Sequence, residues 1–248
     1  MFDFEIKIAQ NQEEKDRAFR LRNEVFKKEL SHIAGSADPQ TDMETDTYDE
    51  GCDHLIVVDR TKNLVVGTYR LLLGSKVDPR LGFYSEKIFD IKNIKRLGSQ
   101  IVELGRSCVH KDYREGLVIN LLWQGIAQYI KENNARFLFG SVRLLTLDIK
   151  EVNEVYSLVK DLYYAPRKFL VCPRNDNTLK GLRSRKVDER DHKNIFLKLP
   201  PLIKGYLRLG LKICGPPAWN KDLGSVVFFV LLDIETMSKA YKWHFLGE

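Results

Sequence analysis

One junction in the sequence constrains the fold more than any other feature. The stretch IVELGRSCVHKDYREGLVINLLWQGIAQYIKEN (101–133) joins a strand pattern to a helix pattern through a short polar connection. Its beginning, IVELGRSCV, predicts a strand, and its end predicts an amphipathic helix with Leu117, Leu121, Trp123 and Ile126 among its apolar positions. Because such a helix must bury its apolar face against a sheet, the junction predicts a mixed α/β fold.

The rest of the chain continues the series of strands and helices. A helix is predicted from about 12 to 28, because Asn11 and Glu14 have the spacing of a capping box. Strands are predicted at FEIKIA, at HLIVVD and NLVVGTYRLLL (a hairpin around RTKN), at RFLFGSV, and at GYLRLGLKICG and SVVFFVLLDI, with helices at KEVNEVYSLVKDLYYA and ETMSKAYKWHF. Since no linker interrupts this series, we predict one mixed α/β domain over residues 1–248.

Composition excludes several classes of function. The longest apolar run, Val226–Leu232, is far shorter than the roughly 20 residues of a membrane helix, and the charged N-terminus is unlike a signal peptide. The four cysteines are scattered without a CxxC pair, which predicts a cytoplasmic protein with reduced thiols and no bound metal.

The net charge of +6 is compatible with nucleic acid, an anionic membrane surface or an acidic protein as partner. The sequence has no nucleic-acid-binding motif, so we expect no nucleic acid. The densest basic stretch, PRNDNTLKGLRSRKVDERDHK, is diluted by acids and is interpreted as a solvated loop with a short helix.

Charged residues also occur inside apolar patterns. Arg22 lies within the apolar face of the first helix, so it needs a carboxylate partner or must reach water along its stem, and the sequence leaves both open. Arg70 lies in the strand GTYRLLL, as an edge-strand charge or as a ligand. Asp46 and Asp49 belong to the long loop 31–52, either as turn formers or as functional acids, because loops of this length are usually lids or linkers.

The strand 101–109 poses a related question. In a regular strand, Glu103 and Arg106 would face opposite sides. A bulge at Gly105 would bring both into one cleft and would turn a backbone N–H towards a carbonyl oxygen. The helix start that follows favours phosphate. The alternative is a salt-bridged edge strand followed by an ordinary helix cap.

Taken together, several stretches resemble the GNAT acyltransferase superfamily. They are LRNEVF, CDHLIVVD, GTYRLL, ELGRSCVHKDYREG, LLWQGI and LPPLIKGYLRLGLKICGPPAW, over roughly residues 20–220. As a set they resemble ornithine–acyl-carrier-protein N-acyltransferases (haemolysin-like) and N-acyl amino acid synthases. More sparsely, the chain resembles acyl-homoserine-lactone synthases, through Arg22, Phe26, Asp46, Asp49, Arg70, Glu103 and Arg106.

The resemblance implies a GNAT-like fold with a central mixed sheet flanked by helices. It also implies transfer of a long-chain fatty acyl group, plain or 3-hydroxylated, from acyl carrier protein to the α-amine of an amino acid, foremost ornithine. Because the attacking amine must be neutral, Glu103 is the candidate base, directly or through water, with Arg106 beside it. Arg22, Phe26, Asp46, Asp49 and Arg70 are expected to bind the amino acid, and the three arginines compete for its carboxylate.

The acyl donor is expected to contact a second set of residues: Cys108, Val109, Arg114, Gly116 and Ser141. A bulge amide near Arg106–Cys108 would hold the thioester oxygen, and Cys108 is interpreted as a strand residue, since direct attack by the amine needs no nucleophilic thiol. At the phosphate cradle, Arg114-Glu115-Gly116-Leu117-Val118-Ile119 has one glycine where coenzyme A enzymes usually have Arg/Gln-x-x-Gly-x-Gly/Ala. The phosphopantetheine of a carrier protein brings a single phosphate, which suits this shorter motif.

The expected partners are therefore acyl carrier protein, an amino acid and, peripherally, the inner membrane, with no bound cofactor. Two alternatives remain: an acyl-homoserine-lactone synthase that uses S-adenosylmethionine, and a non-catalytic module that binds a carrier protein or a membrane surface.

Overall fold

The computed structural model describes residues 3–29, 42–237 and 242. Its strands are β1 (Phe4–Ile8), β2 (Asp53–Asp59), β3 (Leu64–Leu73), β4 (Phe89–Asp90), β5 (Ile101–Val109), β6 (Phe137–Arg143), β7 (Cys172–Pro173), β8 (Lys212–Ile213), β9 (Ala218–Asn220) and β10 (Ser225–Asp233). Its α-helices are α1 (Gln12–Arg22), α2 (Lys92–Lys95), α3 (Leu117–Glu132), α4 (Ile149–Leu162), α5 (Glu189–Lys198) and α6 (Pro201–Leu209), and a π-helix (Asn23–Glu29) follows α1 directly. The predicted mixed α/β class is confirmed.

The internal contacts of the chain divide it into two compact units. The first comprises the described residues of Met1–Gly82 and Val102–Ala135, with Lys242. The second comprises Phe83–Ile101 and the described residues of Arg136–Tyr241. That residues 1–248 form one domain stays a prediction.

The first unit contains an antiparallel sheet in the order β1-β2-β3-β5. Strands β2 and β3 form the predicted hairpin, in which His54 pairs with Arg70 and Ile56 with Thr68. Side chains of paired residues point to the same face, so these four residues share one side of the sheet.

Helix α1 packs on that side. Its residues Ala18, Leu21 and Val25, the last in the π-helical continuation, form one buried cluster with Ile56 of β2 and Cys108 of β5. The helix begins where the capping box predicts, because the side chain of Asn11 accepts a hydrogen bond from the Glu14 amide. Continuation of α1 as a π-helix was not predicted.

Helix α3 covers the opposite side of the sheet. A β-carbon on Gly125 would lie 2.6 Å from a methyl of Leu55 and 2.8 Å from a methyl of Ile6, so only glycine allows this close approach. The buried stripe of α3 includes Leu122, whereas the predicted apolar position Leu117 is half exposed. The apolar pattern of this helix is therefore wider than the face that it buries.

The second unit is built around β10. This strand pairs antiparallel with β6, β8 and β9, and the predicted strands RFLFGSV and SVVFFVLLDI are confirmed. Helices α4, α5 and α6 belong to the same unit. Among the residues that the structure describes, none of these or the other helices has the length and apolar character needed to cross a membrane.

The prediction of a long strand at GYLRLGLKICG is wrong. Helix α6 begins with Pro201 at a helix N-terminal position and ends at Gly210, which caps it with φ +99°, so only Lys212–Ile213 remains as strand. Ile203, Tyr206 and Leu207 are buried at helical spacing, whereas the sequence also places apolar residues at every second position from Leu207 to Ile213, as in a strand. The closing helix ETMSKAYKWHF falls mostly outside the described residues.

Candidate active site

Strand β5 carries a bulge directly after Gly105, the residue at which the sequence predicts it. Thr68 of β3 pairs with Cys108 and Arg70 pairs with Gly105, so one residue of β3 stands opposite two residues of β5. Arg106, the first of these two, has φ +50°. A left-handed conformation costs a non-glycine residue on the order of 1–3 kcal/mol and persists only where its surroundings hold it.

The bulge shifts the side-chain alternation of β5, as required for Glu103 and Arg106 to share a face. Glu103 is buried and pairs with Leu72, two residues from Arg70 on the same face of β3. The Arg106 guanidinium donates to Asp46, which also accepts from Arg70. The prediction that both side chains point to one side is confirmed.

Arg22 is completely buried, which rules out the alternative that its head reaches water. Its Nη1 and Nη2 donate to the two oxygens of Asp49 at 2.7 and 3.0 Å, in the forked geometry that guanidinium and carboxylate groups favour. Its Nε donates to Glu44 at 2.6 Å. All three positions of this guanidinium are therefore occupied by carboxylates of the chain itself.

The other two arginines complete the arrangement. Arg70 Nη1 donates to Asp46 at 2.6 Å and to Asp49 at 3.0 Å. Arg106 Nη2 donates to the second oxygen of Asp46 at 2.7 Å, and its Nε lies 3.1 Å from Glu44. Each carboxylate thus bridges two arginines.

The result is a closed ring of alternating charge, which we call the charge ring. Its members, in order, are Arg22, Asp49, Arg70, Asp46, Arg106 and Glu44. The arginines come from α1, β3 and β5, while all three acids come from the loop that leads into β2. The ring therefore connects this loop to three separate elements. Its three positive and three negative charges cancel, so the ring has no net charge.

The pKa values of the acids reflect this pairing. Burial disfavours the charge of Asp49, but hydrogen bonds and the positive charges of Arg22 and Arg70 outweigh it and lower the pKa of that carboxyl to about 2. Burial likewise opposes ionisation of Asp46, and Arg70 and Arg106 lower the pKa of this carboxyl. Both aspartates are ionised at neutral pH.

His54 supports the ring from β2. It is buried, and its Nε2 lies 3.1 Å from the backbone oxygen of Asp49, to which it donates as the neutral tautomer. Burial lowers the pKa of His54 below its usual 6.5, only partly offset by its bond to the Asp49 carbonyl and the charge of Asp49. The buried imidazole of His54 is thus neutral at pH 7.

Sequence reasoning missed Glu44 and His54. Charge balance could have found Glu44, because three arginines in apolar patterns call for three carboxylates, and only two acids of the loop were considered beside the candidate base Glu103. Nothing in the sequence marks His54, which occupies an ordinary strand position.

Cys108 and Val109 lie at the end of β5. Cys108 is buried in the cluster beneath α1, and burial raises the pKa of its thiol, as expected of a packed strand residue. The backbone oxygen of Val109 accepts a hydrogen bond from Arg114 Nε at 3.0 Å.

Arg114 and Gly116 lie at the start of α3. Gly116 has φ +98° and precedes the first helical residue. Arg114 Nη2 donates to Glu29 at 2.8 Å, so the arginine expected to seat a phosphate is held by a carboxylate of the π-helix.

Phe26 and Ser141 are not members of the charge ring. Phe26, in the π-helix, packs against the cluster beneath α1. Ser141, in β6 of the second unit, has its hydroxyl 3.4 Å from that of Ser85. The binding roles of all these residues stay predictions.

Known proteins resemble the chain over nearly its full length. The family described as "Acetyltransferase (GNAT) domain" matches residues 21–124, which include all six members of the charge ring. The L-ornithine N(alpha)-acyltransferase of Rhodobacter capsulatus is 28% identical over 244 residues, covering 96% of this chain and 93% of that protein. The chain is an acyltransferase with a GNAT domain over residues 21–124.

Two solved structures share the fold of this acyltransferase. FeeM, an N-acyl amino acid synthase from uncultured soil microbes, has a TM-score of 0.54 at 10% identity and covers 95% of this chain and 93% of its own. The AHL synthase LasI has a TM-score of 0.52 at 13% identity and covers 100% and 96%. At such identities the likeness shows the fold alone, and it confirms the GNAT-like architecture.

Proposed function

We propose that this acyltransferase moves a long-chain fatty acyl group, plain or 3-hydroxylated, from acyl carrier protein to the α-amine of an amino acid, with ornithine as the foremost substrate. The observation that carries the proposal is the match to an ornithine acyltransferase over 96% of the chain. The buried charge ring supports it, because an amino acid brings a carboxylate and a cationic group, and the ring already pairs carboxylates with cationic guanidinium groups.

The chemical step is attack of the neutral amine on the thioester carbon. The N–C bond forms, the C–S bond breaks, and the phosphopantetheine thiol leaves with a proton that Glu103 takes from the amine, directly or through water. A backbone N–H of the bulge near Arg106–Cys108 would hold the developing oxyanion. The bulge supports this role, since it removes amides of β5 from regular pairing with β3.

Three guanidinium groups were candidates for the substrate carboxylate, and their surroundings differ. Arg22 is saturated by Glu44 and Asp49, which suits a role in fixing the loop. The Arg106 side chain is 14% exposed, against 1% for Arg22 and 5% for Arg70. We therefore assign binding of the substrate carboxylate to Arg106. Arg70, which shares Asp46 with Arg106, has a supporting role.

We assign binding of the phosphate of the donor's phosphopantetheine group to Arg114 and to the start of α3 at Gly116. The phosphate must compete with Glu29 for Arg114. Carrier proteins are acidic, so binding of the acyl donor should weaken as salt screens basic residues near this site. Peripheral contact with the inner membrane stays a prediction.

The test is to incubate the purified chain with acyl carrier protein loaded with a fatty acid, and separately with acyl-coenzyme A. Ornithine, glycine and S-adenosylmethionine serve as acceptors, and mass spectrometry identifies the products. We expect N-acyl ornithine, formed preferentially from the carrier protein. Formation of acyl-homoserine lactone without any acylated amino acid would overturn the proposal in favour of a signal synthase. The absence of any product would overturn it in favour of a non-catalytic binding module.

A further inference from the structure

A basic segment of the second unit has its backbone fastened to helix α4. This segment, residues 180–187, contains Lys180, Arg183, Arg185 and Lys186 and no acid. Three of its amides donate to side chains of α4: Arg183 N to Asn153 at 2.8 Å, Arg185 N to Ser157 at 3.1 Å and Val187 N to Asp161 at 3.1 Å.

The spacing of these bonds shows how the segment is held. The acceptors are four residues apart on α4 and so form one row along the helix, while the donors are every second residue of the segment. An extended chain of this length spans roughly 20 Å. All four cationic side chains are exposed, and the backbone that carries Arg183 and Arg185 is held on α4.

Exposed leucines lie at the N-terminal end of the same helix. Leu145, Leu147 and Leu197 are 57%, 61% and 61% exposed, the highest values among the large apolar residues that the structure describes. Leu145 and Leu147 directly precede α4, and Lys198, next to Leu197, pairs with Glu154 in the second turn of α4.

The basic segment reaches this same end. A β-carbon on Gly181 would lie 3.6 Å from Ile149, the first residue of α4. Three acids lie at this end of α4: Asp148 caps the helix, Glu154 holds Lys198, and Glu151 adds a negative charge near Lys198. Apolar side chains and cations are therefore presented side by side.

We infer that the segment 180–187 and the leucines 145, 147 and 197 form a docking surface for anionic phospholipid bilayers. Cations at headgroup level and apolar side chains at the acyl boundary are the two contributions that hold peripheral proteins on such membranes. An acidic protein would satisfy the cations, but it would leave the three leucines without a role. The inference extends the peripheral location in the proposed function, but binding to vesicles can be measured without acyl transfer.

The test is sedimentation of the full chain with vesicles of phosphatidylcholine alone or mixed with phosphatidylglycerol. We expect binding to the mixed vesicles that weakens as salt is raised. The variant carries Arg183→Gln, Arg185→Gln and Lys186→Gln, and the matched control, which loses three exposed cations elsewhere, carries Arg80→Gln, Lys92→Gln and Lys212→Gln.

Each cation near an anionic surface contributes about 1 kcal/mol, so the variant should bind about 100-fold more weakly, while the control binds like the parent chain. Replacing the three leucines by serine should weaken binding to the mixed vesicles as well. Circular dichroism of each variant verifies folding, which exposed side chains should not disturb.

The inference is overturned if the parent chain does not bind mixed vesicles at low salt, or if the variant binds as tightly as its control. It is also overturned if the triple glutamine variant loses binding to acyl carrier protein and the parent chain binds no vesicles. That result would assign the surface to an acidic protein. Acyl transfer in vesicle-free solution is a separate measurement, so loss of this inference leaves the proposed reaction standing.

Discussion

Replacing Asp49 by asparagine tests whether the charge ring holds the fold of the first unit. The pKa of Asp49 falls from 3.8 to about 2 on folding, and each unit corresponds to about 1.4 kcal/mol, so ionised Asp49 contributes about 2.5 kcal/mol at neutral pH. The substitution also leaves Arg22 and Arg70 buried with one carboxylate fewer, and breaking a buried pair costs about 3–5 kcal/mol. We expect Asp49→Asn to lower the free energy of unfolding by about 2.5–5 kcal/mol.

Urea unfolding followed by circular dichroism at pH 7 measures this loss as a lower midpoint with an unchanged slope. Asp42→Asn is the matched control: it changes an exposed acid of the same loop that pairs with Arg20, and its midpoint should stay that of the parent chain.

The pH dependence gives a second check. Because folding lowers the pKa of Asp49, its contribution is complete above pH 3.8 and is lost as pH falls towards about 2. The stability difference between the parent chain and Asp49→Asn should therefore shrink over that range. Equal midpoints at pH 7 would refute the view that the ring stabilises the fold.

Four further predictions concern activity and stability. Glu103→Gln should reduce turnover on the order of 10²–10⁴-fold with folding intact, and near-normal turnover across pH 7–9 would remove Glu103 from the mechanism. His54 should make stability fall as pH drops below 6.5, because the unfolded chain takes up a proton that the buried imidazole resists; His54→Gln should flatten this slope in urea titrations. Arg114→Gln should raise KM for the acyl donor, whereas Glu29→Gln should lower it by freeing Arg114; equal effects of both changes would contradict their competition. Asp46→Asn should raise KM for ornithine more than for glycine, because only ornithine has a distal amine to lose a partner, and equal increases would argue against that contact.

How far the sequence alone predicts this site depends on the range of each interaction. The bulge was predictable because Gly105 interrupts a strand between two charged residues, although the left-handed residue is Arg106 rather than the glycine. That Arg22 needs a partner follows from the cost of burying a lone charge. Which acids it pairs with does not follow, because Glu44 and Asp49 lie 22 and 27 residues away along the chain.

The failure at α6 has a different cause. Pro201 and Gly210 are the start and stop signals of a helix, and they were present in the sequence. From Leu207 to Ile213, across Gly210, every second residue is apolar, so the sequence fits a strand period as well as a helix period there. The π-helix after α1 has no comparable local signal, since its register depends on what packs around it.

The way the ring is assembled bears on how a substrate could enter it. All three acids lie on one loop, so moving that loop exposes three arginines together, whereas losing one acid alone would leave an unpaired buried charge. We propose that ornithine enters by exchange: its carboxylate takes the place of Asp46 on Arg106, and the displaced aspartate pairs with the distal ammonium group. Because the reacting α-amine is neutral, one carboxylate and one ammonium group enter together, and the exchange leaves the buried site neutral. A fatty acid or a simple amine would disturb that balance, so the ring would favour an amino acid with a cationic side chain.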